Sequence, residues 1–120
     1  MRIRQAGESS SSAKFAHMNR REKLEALLAA SPDDTFLRYA LALAWSSEGN
    51  PATARDQLSA LLDDDPHYVP AYFQLAQMHL QIGEAAQARP VLSRGIEMAR
   101  RAGDAHAEGE MAGLLEQLPE

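Results

Sequence analysis

Residues 34–66 read DTFLRYALALAWSSEGNPATARDQLSALLDDDP, and residues 68–100 read YVPAYFQLAQMHLQIGEAAQARPVLSRGIEMAR. Laid over one another, the two stretches place Leu41 on Leu75, Ala42 on Ala76, Gly49 on Gly83, Ala52 on Ala86, Ala54 on Ala88, Arg55 on Arg89, Leu58 on Leu92 and Ser59 on Ser93. The same offset carries Pro32 onto Pro66. An internal repeat of this period marks a stacked array, in which each unit is one supersecondary element unable to bury its apolar face alone. Within the unit, an apolar helix stops at Gly49, a residue type that takes the left-handed conformation after a helix. Asn50-Pro51 restarts the chain at once, because proline at a first helical position gives up an N–H that has no partner there anyway. Each unit is therefore predicted to be two antiparallel helices.

The order Leu41, Ala42, Trp45, Gly49-Asn50-Pro51, Ala54, Leu58 and Pro66 resembles the tetratricopeptide repeat, and the second copy keeps Tyr72, Leu75, Ala76, Gly83, Ala88 and Leu92. The resemblance implies an all-α fold, a right-handed helical repeat array (α-solenoid) of antiparallel helix pairs with about six helices. It also implies a non-catalytic protein–protein interaction scaffold, in which the first helix of each pair lines a concave face that receives partner peptides. Three positions depart from the pattern: Arg38 stands where the second copy has Tyr72, His79 stands where the first copy has Trp45, and Arg100 replaces the closing proline. The small residues Ala42, Ala54, Ala76 and Ala88 let paired helices approach at the short end of the 8–10 Å range, and larger residues there would overpack the seam.

Working outward, residues 1–18 carry Gly7, the run Ser9 to Ser12 and little periodic apolar content, so a disordered or vector-derived tail is expected. Asn19 with Glu22 three residues on is a capping-box arrangement opening a helix over 19–30. At the repeat offset its Leu24, Leu27 and Leu28 fall on Leu58, Leu61 and Leu62, so it reads as a half-repeat covering one end of the stack. Asp33 or Asp34 opens the first full repeat, 34–66, whose second helix is expected over Pro51–Leu62. The second repeat spans 67–102 and carries Pro90 inside its second helix, where a bend near Ala86 is expected. Gly103-Asp104 then starts a capping helix over 104–118, with Met111, Leu114, Leu115 and Leu118 on one side. The remaining glycines are read as helix ends.

Charge and composition narrow the function. Residues 1–23 hold six Lys/Arg against two Glu, and residues 24–120 hold six against fifteen Asp/Glu, so the folded part is acidic and repels phosphate backbones. Nucleic acid is excluded as a partner on that ground. No apolar run reaches the ~18–20 residues of a membrane span, and no cysteine is present to form disulfides or thiolate metal sites. A soluble, cytoplasmic protein of bacterial type is expected from this and from abundant Ala and Arg. His17, His67, His79 and His106 form no ligating constellation, since His106 and Glu110 lack a third ligand, and His79 is read as a packed, hydrogen-bonded residue. Asp63-Asp64-Asp65 is read as a solvated helix end. With no nucleophile elbow and no phosphate loop, no enzyme, no cofactor, no metal and no catalytic residue are expected.

What remains is surface. Phe36 to Trp45 is apolar nearly all round, and Leu37, Leu41 and Trp45 suffice for the core. A second stripe is left over: Phe36, Tyr39, Ala40 and Leu43, continued in the next repeat by Phe73, Gln74, Gln77 and Leu80. These eight residues are the candidate site for a protein or peptide partner. A homo-oligomerisation module, in which a homodimer buries the same stripe, is the alternative. Stripes at helical spacing are usually core, and the sequence alone leaves that reading standing. Family members that grip chaperone C-termini use Lys, Arg and Asn on this face, and the matching Tyr39, Leu43, Gln74 and Gln77 include no cation.

Overall fold

The computed structural model describes residues 17–119, so most of the expected N-terminal tail lies outside the described residues. Six helices follow in chain order: α1 Arg20–Ala30, α2 Thr35–Ser47, α3 Pro51–Asp64, α4 Val69–Gln81, α5 Ala85–Ala102 and α6 Ala105–Gln117. The fold is an all-α helical repeat.

The starts and stops have local causes. Asn19 and Glu22 form the reciprocal capping box, Asn19 Oδ1 accepting from the Glu22 N–H at 2.8 Å and Glu22 Oε1 from the Asn19 N–H at 2.9 Å. Asp34 caps α2 through the Leu37 N–H at 2.9 Å, and Asp104 caps α6 through the Ala107 N–H at 3.0 Å. Asn50 makes no side-chain cap bond, and Pro51 at the first turn starts α3 instead. α3 also runs through Asp63 and Asp64, beyond the expected end at Leu62.

One turn geometry is used three times. After α2, the Gly49 N–H donates to the Ser46 carbonyl and the Asn50 N–H to the Trp45 carbonyl, both at 3.0 Å, with Gly49 at φ +85°. Gly83 and Glu84 repeat this on Leu80 and His79, and Gly103 and Asp104 on Arg100 and Ala99. This is the paired-bond helix stop that requires a left-handed residue. Because the residue after each glycine immediately precedes the next helix, the chain reverses in a minimal number of residues. α2/α3, α4/α5 and α5/α6 therefore close as antiparallel neighbours.

Stacking then builds the core. Ala42, Ala54, Ala76 and Ala88 are all at 0% exposure, as are Leu58, Leu61 and Leu92, so the repeat's small and large positions interlock as its pattern requires. α4 touches α2 on one side and α6 on the other, whereas α3 packs between α2 and α4, α5 against α4 and α6, and α1 against α2. Alternate helices thus form an inner layer of α2, α4 and α6 backed by α1, α3 and α5. Pro90 does not end α5, which continues for 18 residues; Ala88 and Leu92 on either side are fully buried. That packing offsets the roughly 3 kcal/mol a proline costs in a free helix interior.

One end of the stack is left open, and one expectation, that the remaining glycines mark helix ends, needs correction. α1 contributes no buried residue, and Leu27 is 51% exposed although its repeat equivalent Leu61 is fully buried, because α1 lacks the first helix that would cover it. It is the open end of the stack. What ties α1 down is Arg21, whose guanidinium lies 4.3 Å from the Trp45 ring centroid and bonds Glu48 and Glu25 at 2.9 Å. Gly95 is not at a helix end either. It sits in the middle of α5, where an added Cβ would come 2.5 Å from Met111 Sδ and 2.6 Å from Tyr72 Cβ. Gly109 and Gly113 lie inside α6, again away from its ends.

Candidate protein-interaction groove

The inner layer carries a cavity of about 210 Å³ between α2, α4 and α6. Tyr39 forms its α2 wall, Pro70, Phe73 and Gln74 its α4 wall, and Asp104, Ala107 and Glu110 its α6 wall. Met111 and Val69, both buried, form the base. The Tyr39 ring meets Tyr68 edge-on, with centroids 5.4 Å apart and planes at 61°. Burial raises the Tyr39 phenol above its ordinary pKa, aided by Tyr68, while the Gln74 side chain pulls the other way. Tyr68 is raised by burial and then by the negative charges of Asp65 and Asp34. Both phenols are therefore neutral donors at physiological pH. The site is a shallow amphipathic trough, suited to an apolar or aromatic side chain flanked by hydrogen-bonding groups.

The sequence-derived stripe maps onto this face unevenly. Tyr39, Phe73 and Gln74 converge on the cavity. Phe36 is 62% exposed near the start of α2, and Leu43, Gln77 and Leu80 are half-buried outside the cavity wall. Ala40 is only 4% exposed and offers a partner no surface. The α6 contribution was not foreseen. Its signal lay in the alternation of layers, since a sixth helix falls on the same side as the second and fourth.

Comparison with known proteins bears on what such a trough is for. A family model described as tetratricopeptide repeat matches residues 46–118. A TPR repeat-containing protein of Pseudomonas aeruginosa is 31% identical over 97 residues, covering 81% of this chain and 92% of that protein. The chain belongs to the tetratricopeptide repeat family. Among solved structures, a protein from Bordetella parapertussis superimposes with a TM-score of 0.73 at 30% identity, covering 83% of this chain and 87% of that one. A tetratricopeptide repeat domain protein from Salinibacter ruber does so at 0.69 and 29% identity, covering 72% and 87%. Repeats of this family mediate protein–protein interaction.

Two features outside the groove show how this tetratricopeptide repeat chain departs from its own pattern. Tyr72 donates its hydroxyl to the Pro66 carbonyl at 2.7 Å and accepts from Arg94 Nε at 3.3 Å, beside a cavity of about 390 Å³ that α3 and α5 frame on the other side of α4. Its counterpart Arg38 instead reaches Asp64 at 2.9 Å. The outer cavity is larger than the groove, and in its wall the Tyr72 hydroxyl and the Arg94 guanidinium are already joined to each other. His79, in place of the aromatic, is packed at 13% side-chain exposure, with Nδ1 2.7 Å from Glu84 Oε1, and Arg55 bonds the same carboxylate at 3.0 Å. No three His, Asp or Glu side chains converge among the described residues. No helix among them is long and apolar enough to cross a membrane.

The Glu84 cluster makes a pH prediction. The His79 hydrogen bond, and then Arg55, lower the Glu84 pKa below its ordinary value against the opposing effect of burial. A carboxylate held lower in the folded state stabilises the fold above its unfolded pKa, about 4.3, and that stability is lost as pH falls through the folded pKa. Melting curves of the wild type and Glu84→Gln should therefore differ above about pH 5 and converge below the ordinary carboxylate range. A gap that persists into that acid range would show that the Glu84 charge is not the source.

Proposed function

We propose that this protein is a non-catalytic interaction scaffold whose α2/α4/α6 trough receives a peptide or helix from a partner protein. The observation that carries it is the convergence of Tyr39, Phe73 and Gln74 from two repeats with Asp104 and Glu110 of α6 around one cavity. Aromatic side chains that are half-buried in the free protein, with polar groups at the margin, match the usual plan of an apolar centre and a polar rim. Completing the burial of such a side chain is worth up to ~1.5–3 kcal/mol, and truncating aromatic anchors at the centre of an interface often costs about 2 kcal/mol or more. The second reading, a homodimer through the same inner face, is favoured by Phe36, which leaves a large aromatic side chain mostly in water.

Selection of an unbiased displayed peptide library on the full chain tests the first reading. Tyr39→Ala with Phe73→Ala is expected to weaken the selected peptides at least about tenfold while helical circular dichroism is retained. Sedimentation equilibrium tests the second, with a dimer that the same pair of changes dissociates. A folded double variant that keeps both its peptide affinity and its association state removes the inner face from consideration.

A further inference from the structure

We propose that the trough selects a basic segment, an extended stretch in which Lys or Arg stands beside apolar residues. This rests on the trough being the binding surface and adds the chemistry of what it takes. The described residues carry nine Lys/Arg against fifteen Asp/Glu, and the cations are segregated. Eight of the nine lie on α1, α3 and α5, and the ninth, Arg38 on α2, turns back to Asp64 at the end of α3 at 2.9 Å. α4 and α6 have none. The inner layer is thus left without a cation facing the trough.

Acidic groups are not segregated in that way. Asp104 and Glu110 line the cavity itself, and Asp34 and Asp65 stand close enough to Tyr68, the ring against Tyr39, to act on its ionisation. α2, α4 and α6 run parallel, since every second helix of an antiparallel chain does. Their starts, with Asp34 and Asp104 as caps, therefore share one edge of the layer. Each cap spends one interaction on a backbone N–H, at 2.9 Å to Leu37 and 3.0 Å to Ala107. The helix start behind it offers roughly half a positive charge against a whole negative one, so the edge stays negative. The neighbouring imidazole of His106 sits 3.5 Å from Glu110 with both side chains largely exposed, a weak pairing that an incoming guanidinium displaces.

The chain already holds a guanidinium by this chemistry elsewhere. Arg21 lies over the Trp45 ring with Glu25 and Glu48 on its nitrogens. In the trough, the faces of Tyr39 and Phe73 take the place of the indole, and Asp104 and Glu110 take the place of the glutamates.

Two labelled peptides test the proposal by fluorescence anisotropy on the full chain, one of four Leu-Arg dipeptides and one of four Leu-Glu dipeptides. The Leu-Arg peptide is expected to bind about tenfold or more tightly than its acidic counterpart at physiological salt, and more weakly as salt rises. Asp104→Asn with Glu110→Gln is expected to cut that affinity about fivefold and flatten the salt dependence, with the melting temperature held because asparagine also caps helices. Glu110→Gln alone, at an exposed position, gives a smaller loss in the same direction should the pair disturb α6. Equal affinity for the two peptides, or binding of neither, overturns the proposal. If Tyr39→Ala weakens binding while the carboxylate pair changes nothing, the trough stands and the charge selection falls. If neither change matters, both fall.

Discussion

Replacing Gly95 with alanine is expected to destabilise the protein by about 1–3 kcal/mol, even though alanine is the better helix former by about 1 kcal/mol. The new methyl would sit 2.6 Å from Tyr72 Cβ and 2.5 Å from Met111 Sδ. Met111 Sδ can swing aside, as thioether side chains do. Tyr72 Cβ cannot, because it is fixed to the α4 backbone and its ring is anchored by the hydroxyl bond to the Pro66 carbonyl at 2.7 Å. Relief therefore requires α5 to move away from α4, which loosens a seam where Ala76, Ala88 and Leu92 are all at 0% exposure. Gly109 and Gly113 are the internal control. Nothing stands within 4 Å of a Cβ built on either. Alanine at those positions is expected to stabilise by about 0.5–1 kcal/mol each through helix propensity alone. Thermal melts of the three variants measure the contrast, and a stabilising Gly95→Ala would mean that α4, α5 and α6 do not meet there.

Ala54→Trp and Ala88→Trp should have the larger effect still, about 4 kcal/mol or more, in the range reached only when a core is forced apart. Both alanines are fully buried between helices of a pair. An indole at either site has no space without separating the two helices, and overpacking by even a methylene or two already costs about 1–3 kcal/mol. Set against whole-domain stabilities of about 5–15 kcal/mol, such a loss leaves a chain of this size largely unfolded at ambient temperature. Ala86→Trp, at an exposed position on α5, is expected to stay within about 0.5 kcal/mol of the wild type. Equal tolerance at all three positions would remove the helix-pair seam from the account.

Why these positions differ in how well they can be read from sequence is a matter of range. The turn glycines and the Asn19–Glu22 box act within a few residues, so the chemistry that sets them is written beside them, and they form as the spacing predicts. The seam alanines became legible because the chain states them twice, and repetition converts a tertiary contact into a sequence pattern. Gly95 has no such copy. Its repeat counterpart Leu61 is a large buried residue, and only the approach of α4 and α6 explains the exchange. The same limit hid half of the trough. Tyr39, Phe73 and Gln74 could be placed on one face by helical spacing, whereas Asp104, Ala107 and Glu110 join them only through the alternation of layers. Ala40 shares that spacing and is buried nonetheless, because which flank of an apolar helix meets its neighbour depends on how the repeats stack.

Recognition on the inner layer is tested most directly by chemical-shift mapping. Backbone amide spectra of the full chain would be recorded while a library-selected peptide is titrated in. Shifts concentrated on Tyr39, Phe73, Gln74, Ala107 and Glu110, with α1, α3 and α5 nearly silent, are the predicted result. Shifts concentrated instead on the outer helices, around Ser59, Pro90 and Arg94 beside the larger cavity, would contradict it.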